Sequence, residues 1–313
     1  MRILITEFMD ERAVARLAAR VDVNYQPALV DDPARLQALA AEVDALIVRN
    51  RTQVRGELLR ALIASGRCRV VGRLGVGLDN IDVEACAARG IQVIPATGAN
   101  AQSVAEYAVG TAMLLLRGAY ASTAEVAAGR WPRQALSNGR EVGGRTFGLV
   151  GFGATGQCTA RLARGMGMTV IAHDALMDAD HPAFEATGVR CAGLDEVLRM
   201  ADVVSLHVPL LPSTRGLLDA RRLQAMKPGA VLINTSRGGI VDEQALAAAL
   251  RSGHLGGAAL DVFDVEPLPA SPHFQDCPNL LLTPHIAGVT MESNERVSSL
   301  IADRVLESLG RAG

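Results

Sequence analysis

An arginine, an acid and a histidine each stand just beyond a short apolar run in the second half of the chain. They lie in Ile233-Asn-Thr-Ser-Arg237-Gly-Gly-Ile-Val-Asp242, Asp261-Val-Phe-Asp-Val-Glu266-Pro267 and Thr283-Pro-His285-Ile-Ala-Gly288. This trio suits reduction of a carbonyl by hydride. The Arg237 guanidinium can fork onto a carboxylate and polarise the adjacent ketone. The His285 imidazole can give the new alkoxide its proton, or remove it in the reverse direction. The Glu266 carboxylate can orient the imidazole and favour its charged form. Taken singly, Arg237 could cap the turn at Gly238-Gly239, Glu266 could be a solvated loop acid, His285 a structural histidine and Asp261 a turn cap. Arriving in this order at successive strand ends, they read as one site.

A second constellation precedes them. Val150-Gly151-Phe-Gly153-Ala-Thr-Gly156 follows an apolar strand, opens a helix, and is answered by Asp174 eighteen residues after its last glycine. Gly151 permits a tight turn, Gly153 lets a pyrophosphate approach the backbone, and Gly156 lets the helix pack on the strand. The helix N-terminus offers N–H groups and a partial positive charge to phosphate. Asp174 would bond the adenosine ribose and repel a 2′-phosphate, so the expected cofactor is NAD rather than NADP. His207, before Val208-Pro209 at another strand end, reads as a wall of the cofactor channel. His181, His254 and His273 have no supporting constellation, and no metal-ligand spacing is present.

These residues need parallel strands to carry them. Arg2–Thr6, Val21–Tyr25, Ala45–Val48, Val70–Arg73 and Ile91–Ile94 read as strands alternating with helices Asp10–Arg20, Asp32–Ala41, Glu57–Ala64 and Asp82–Arg89. A long helix, Ala101–Arg117, leads to a second series. Its strands are Arg145–Val150, Met168–Asp174, Val203–His207, Ala230–Asn234, Gly257–Asp261 and Leu280–Thr283, with helices Gln157–Met166 and Glu243–Arg251. Short apolar strands alternating with helices imply parallel sheets covered on both faces. The stretch Ala119–Glu141 lacks clean periodicity and reads as an arm or loop. The helical tail Ser293–Leu309 has no place in a completed nucleotide domain and is expected to return to the first. The expected domains are a discontinuous substrate-binding domain, 1–98 plus 287–313, and a nucleotide-binding domain, 99–286.

Composition fits an enzyme of two domains. The 313 residues are 49% hydrophobic but only 3% aromatic, so aliphatic side chains must fill the cores. A formal charge of −2 gives no electrostatic case for nucleic acid or an anionic membrane. The five scattered cysteines, without a C-x-x-C pair, argue for reduced thiols. No basic region followed by an apolar core opens the chain, so a cytoplasmic location is expected.

Val71-Gly-Arg-Leu-Gly-Val-Gly-Leu-Asp-Asn-Ile-Asp82, Gly151–Gly156, His207-Val-Pro-Leu-Leu-Pro-Ser-Thr214, Met226–Asp242, Ala259–Pro267 and Thr283–Gly288 together make the chain similar to the D-isomer-specific 2-hydroxyacid dehydrogenase family over essentially its whole length. The resemblance implies two Rossmann-like, doubly wound α/β domains with a cleft between them that closes on substrate. It implies Arg237, Glu266 and His285 as the catalytic set. Asp261 would meet the nicotinamide carboxamide, and Thr235 and Ser236 would line the cofactor channel. Gly151, Gly153, Ala154, Thr155, Gly156, Asp174, His207, Val208, Pro209, Arg237, His285 and Gly288 complete the expected cofactor set. Val76 and Gly77 would present backbone to the substrate carboxylate, and the protein would be a homodimer joined through the nucleotide domain. Ala154-Thr155 departs from the family's usual long residue and isoleucine, which puts the phosphate packing in doubt but not the backbone contacts. His173, at a position often aromatic, could stack beside adenosine or be an exposed strand-end residue.

Substrate specificity is expected from the first domain. Arg49, Arg51 and Arg73 follow strand ends there and suggest a substrate with an acidic group besides its 2-oxo carboxylate. One or two of them could instead brace loops; Arg51 and Arg73 are carried as substrate contacts. The chain also resembles the family's sulfolactate dehydrogenase branch through its Leu4-Ile-Thr-Glu-Phe-Met-Asp10 and Arg49-Asn-Arg-Thr52 segments. Glyoxylate, hydroxypyruvate and phosphoglycerate chemistry remain open alternatives. So does a protein-binding scaffold that uses NADH as a signal.

Overall fold

The computed structural model describes residues 1–118 and 122–311. The chain forms two compact units, one of Met1–Asn100 with the chain from Val289 onward, the other Ala101–Gly288.

The first unit runs β1 (Arg2–Ile5), α1 (Glu11–Ala18), β2 (Asp22–Tyr25), α2 (Pro33–Ala40), β3 (Ala45–Val48), α3 (Gly56–Ser65), β4 (Val70–Arg73), α4 (Val83–Ala87) and β5 (Gln92–Pro95). Its five strands are parallel, in the order β2-β1-β3-β4-β5. The central strand β3 is four apolar residues, all buried, as a strand covered on both faces must be. Aspartates start three of the helices: Asp10, Asp32 and Asp82 each accept a backbone N–H from the first turn. The C-terminal helix, Met291–Arg311, lays Ile301, Ala302 and Val305 against Ile3, Ile5, Ile47 and Val70 of this sheet. Gly72 makes that fit possible. A Cβ there would come within 2.8 Å of Ile301 and 2.9 Å of Val305.

The second unit begins with α5 (Ala101–Arg117) and α6 (Thr123–Ala127). It continues β6 (Thr146–Val150), α7 (Ala154–Gly165), β7 (Thr169–His173), α8 (Pro182–Thr187), β8 (Arg190–Cys191), α9 (Leu194–Met200), β9 (Val203–Leu206), α10 (Ala220–Ala225), β10 (Val231–Asn234), α11 (Glu243–Arg251), β11 (Gly257–Leu260) and β12 (Leu280–Leu282). The C-terminal helix is α12. All seven strands are parallel, in the order β12-β11-β10-β9-β6-β7-β8. The chain leaves β6 through β7 on one side and returns to β9 on the other. The carboxyl ends of β6 and β9 therefore flank the switch point where open α/β sheets bind ligands.

Two parallel-sheet α/β units agree with the expected fold class. Some details differ. Helix α7 starts at Ala154, directly after Gly153, rather than at Gln157. Strand β5 includes Pro95 instead of stopping before it; β5 is an edge strand, where a residue without N–H is tolerated. Of the stretch read as an arm or loop, residues 119–121 lie outside the described residues, and Thr123–Ala127 is helical.

Candidate active site

The glycine turn after β6 is held by close backbone approaches. Gly151 has φ +97°, and a Cβ there would overlap the His207 carbonyl; a Cβ on Gly156 would overlap the Gly151 carbonyl. Gly153 differs, because a Cβ there would meet nothing within 4 Å. That open space lies at the N-cap of the twelve-residue helix α7, which has no side-chain cap. The backbone N–H groups of Ala154, Thr155 and Gly156 form its first turn, where donors have no intrahelical partner. A pyrophosphate fits this cradle. Asp174, just past β7, accepts N–H bonds from Phe152 (2.7 Å) and Leu176 (2.9 Å). The carboxylate thus braces the glycine turn and is fixed in place, with lone pairs left for ribose hydroxyls. NAD(H) is expected to be preferred over NADP(H), whose 2′-phosphate would face this anion. Comparable kcat/KM for the two cofactors would remove Asp174 from that role.

The next strand ends carry the other residues expected to line the cofactor channel. His207 donates its N–H to Val150 O (2.7 Å), and its ring Nε2 lies 3.0 Å from Ser205 Oγ. Burial pushes its pKa down to about 4, so the ring is neutral near pH 7 and is no proton donor there. Val208 follows it beside the glycine turn, and Pro209 is exposed. Beyond β10, the Thr235 hydroxyl is buried without a hydrogen-bond partner, an orphan that a bound cofactor would satisfy. Ser236 is used differently: its hydroxyl donates to Leu206 O (2.6 Å) and its N–H to Asn234 Oδ1 (3.0 Å), holding the turn that presents Arg237.

Arg237 is half-buried, with Nη1 donating to Ser236 O at 2.6 Å. Gly238 must be glycine, since a Cβ would overlap the Phe263 carbonyl. Here the arginine loop and the glutamate loop run against each other. They are stitched together by Gly239 N–H to Asp264 Oδ1 (2.5 Å) and by Asp264 N–H to Glu243 Oε1 (2.9 Å).

Glu266 and His285, nineteen residues apart in sequence, meet at 2.7 Å through Oε2 and Nδ1. The other oxygen of Glu266 accepts the Phe263 N–H (3.0 Å), so the carboxylate is fixed from both sides. With Nδ1 occupied by the carboxylate, Nε2 is the ring nitrogen left for a substrate. The His285 and Glu266 side chains are about half and one third exposed.

His285 itself has φ +56°, a conformation that costs a side-chain-bearing residue about 1 kcal/mol. Asp261 stabilises it. Its carbonyl accepts the His285 N–H (2.8 Å), and its buried carboxylate accepts the N–H groups of Ile286 and Ala287 (both 2.8 Å) and the Thr283 hydroxyl (2.6 Å). Asp261 therefore serves first as the clamp of the histidine loop, with acceptor capacity remaining at Oδ2 for a carboxamide.

In the first unit, the loop Arg49–Thr52 is held by two residues that sequence reading passed over. Glu7, 5% exposed, accepts the N–H groups of Arg49 (2.9 Å), Arg51 (3.0 Å) and Thr52 (3.0 Å). Asn80 donates to the carbonyls of Arg49 (3.1 Å) and Thr52 (2.7 Å). The signal was available: an isolated acid at the end of an apolar strand has to be paired with something. The three arginines have different fates. Arg51 is exposed and turned onto Asp31. Arg73 Nη1 donates to Leu74 O (3.3 Å) within its own loop. Arg49 is half-buried; its Nη2 donates to the neutral Asn294 amide (2.8 Å), and its guanidinium lies 5.8 Å from the Phe8 ring centre. Burial lowers its pKa, and the nearby Glu7 carboxylate acts in the opposite direction. Val76, 41% exposed, and Gly77 follow Gly75 on the loop after β4.

Residues 109–287 match the model of the D-isomer specific 2-hydroxyacid dehydrogenase NAD binding domain. The chain is 55% identical over 308 residues to the (S)-sulfolactate dehydrogenase of Chromohalobacter salexigens, covering 98% of both. It is 39% identical to the D-3-phosphoglycerate dehydrogenase of Mycobacterium leprae, of which it spans 56%. A solved structure of a Thermus thermophilus protein superposes with a TM-score of 0.87 at 34% identity, over 99% of this chain and 97% of that one. The chain belongs to the D-isomer-specific 2-hydroxyacid dehydrogenases, NAD-dependent oxidoreductases acting on a CH–OH group.

Proposed function

We propose that the physiological pair is a 2-hydroxy acid and 2-oxo acid carrying a second anionic group, with (S)-sulfolactate and sulfopyruvate as the best fit. The observation that carries the substrate class is Arg49: a half-buried guanidinium bonded to a neutral amide rather than a carboxylate. Arg51, exposed rather than half-buried, already has Asp31. The 55%-identical relative bears the name of a sulfonated substrate. Its S descriptor is compatible with a D-specific family. In sulfolactate the sulfur-bearing carbon outranks the carboxylate, so S denotes the spatial arrangement that is R in lactate.

In this reading the Val76 and Gly77 N–H groups receive the substrate carboxylate and Arg237 forks onto that carboxylate and the carbonyl. Gly151, Gly153, Ala154, Thr155, Gly156, Asp174, His207, Val208, Pro209, Thr235, Asp261 and Gly288 hold the nucleotide. NADH, when bound, supplies the hydride. His285 Nε2 delivers the proton to the alkoxide while Glu266 holds Nδ1. The first unit is the substrate domain and the second the nucleotide domain. Exposed Trp131 and Val126 in the second unit support a homodimer joined there, and five unpaired thiols support a cytoplasmic location. No helix among the described residues is long and apolar enough to cross a membrane.

The test is NADH oxidation with sulfopyruvate, hydroxypyruvate, glyoxylate and oxaloacetate, for the parent and for Arg49→Ala. Loss of one charge-assisted contact should cut kcat/KM for sulfopyruvate by about 10²-fold and leave glyoxylate within about threefold. Equal losses on both would make Arg49 a loop brace.

A further inference from the structure

Helix α5 reaches the histidine loop through one hydroxyl. Tyr107 OH lies 2.6 Å from Thr283 Oγ1, and Thr283 Oγ1 lies 2.6 Å from Asp261 Oδ1. The direction of this chain is settled by the number of protons available. An ionised carboxylate only accepts, so the single Thr283 proton goes to Asp261 and the Tyr107 proton goes to Thr283. Tyr107 is half-buried, and burial raises its pKa above the usual 10, which keeps it protonated. Asp261 is 1% exposed and binds the two N–H groups that follow His285. The loop it clamps carries a histidine at φ +56°. Removing one link frees the next to rotate, and the left-handed histidine is the part with strain to release.

We propose that Tyr107 is a positioning residue for the reaction: through Thr283 and Asp261 it fixes the loop that aims His285 at the substrate oxygen. This rests on His285 being the proton donor. Tyr107 takes no part in the chemistry. Its contribution is orientation, and its removal should slow proton delivery rather than binding.

Tyr107→Phe separates this role from a merely structural one, because it removes one oxygen and preserves the ring. With the 2-oxo acid turned over fastest in the panel above, kcat should fall about 3- to 10-fold, the worth of one buried hydrogen bond expressed in the transition state. NADH affinity and KM should hold within about twofold, and melting temperature within about 2 °C. The solvent deuterium isotope effect on kcat should rise, because proton transfer becomes more rate-limiting. Thr283→Val should show the same signature, Thr283→Ser should restore the parent rate, and Tyr107→Phe/Thr283→Val should be no slower than Thr283→Val alone. Parental kcat in Tyr107→Phe, or losses that multiply in the double variant, would overturn the relay. His285→Ala is run alongside. If it remains active, the proton-donor reading fails; if it is inactive while Tyr107→Phe is parental, only the relay fails.

Discussion

His285→Ala should lower kcat for 2-oxo acid reduction by about 10²–10⁴-fold, the usual contribution of a positioned acid–base group. The expectation follows from the 2.7 Å contact between Nδ1 and Glu266, which leaves one ring nitrogen for substrate, and from the four bonds by which Asp261 fixes the loop. NADH should still bind, since the glycine turn, Asp174 and the Thr235 hydroxyl are built on other strands. His207 cannot substitute as donor, because its burial keeps it neutral at assay pH. Single-turnover absorbance with saturating NADH reads the chemical step directly, and a parental rate there would exclude His285 from proton transfer.

Arg237→Lys should reduce turnover by about 10²-fold, although charge is kept. A guanidinium presents parallel donors in one plane, able to hold a carboxylate and a carbonyl oxygen together; an ammonium presents a point charge on a flexible stem. The arginine loop is rigid where this matters. Ser236 is bonded to Leu206 O, and Gly239 is bonded to the Asp264 carboxylate. The lysine nitrogen therefore cannot gain its missing contact by a shift of the backbone. NADH affinity, measured by fluorescence titration, should change little. A variant with near-normal kcat would mean that charge alone suffices and that the fork has no role.

The nucleotide corner was legible in the sequence because its constraints are local. Gly151 and Gly156 exclude side chains for reasons of backbone contact, and the helix they open starts one residue after Gly153. The strand-end acids and bases were legible because parallel strands bring their carboxyl ends to one side of a sheet. The pairing of Glu266 with His285 spans nineteen residues and two strand ends, and followed from that rule. What remained hidden depended on distant partners. Arg51 and Arg49 are neighbours but one residue in sequence, yet Asp31 occupies the first while Asn294, 245 residues away, orients the second. Periodicity says nothing about either choice. Tyr107 reads as one more half-buried residue of an apolar helix, and only the contact with Thr283, 176 positions later, gives it a role. Helices α8, α9 and α10 went unread because six or seven residues show too little periodicity; α9 packs on β6 and β7, α8 on α7, and α10 on α9 and α11, and such tertiary packing rather than propensity makes short segments helical.

The most direct test of the substrate assignment is formation of NADH from NAD⁺ with each enantiomer of sulfolactate, followed by absorbance alongside D-lactate. The expected result is NADH production from (S)-sulfolactate, none from the R enantiomer, and a far lower kcat/KM for D-lactate, which lacks the second anion that Arg49 would receive. Turnover of D-lactate as efficient as that of (S)-sulfolactate, or NAD⁺ binding without oxidation of either sulfolactate, would contradict it.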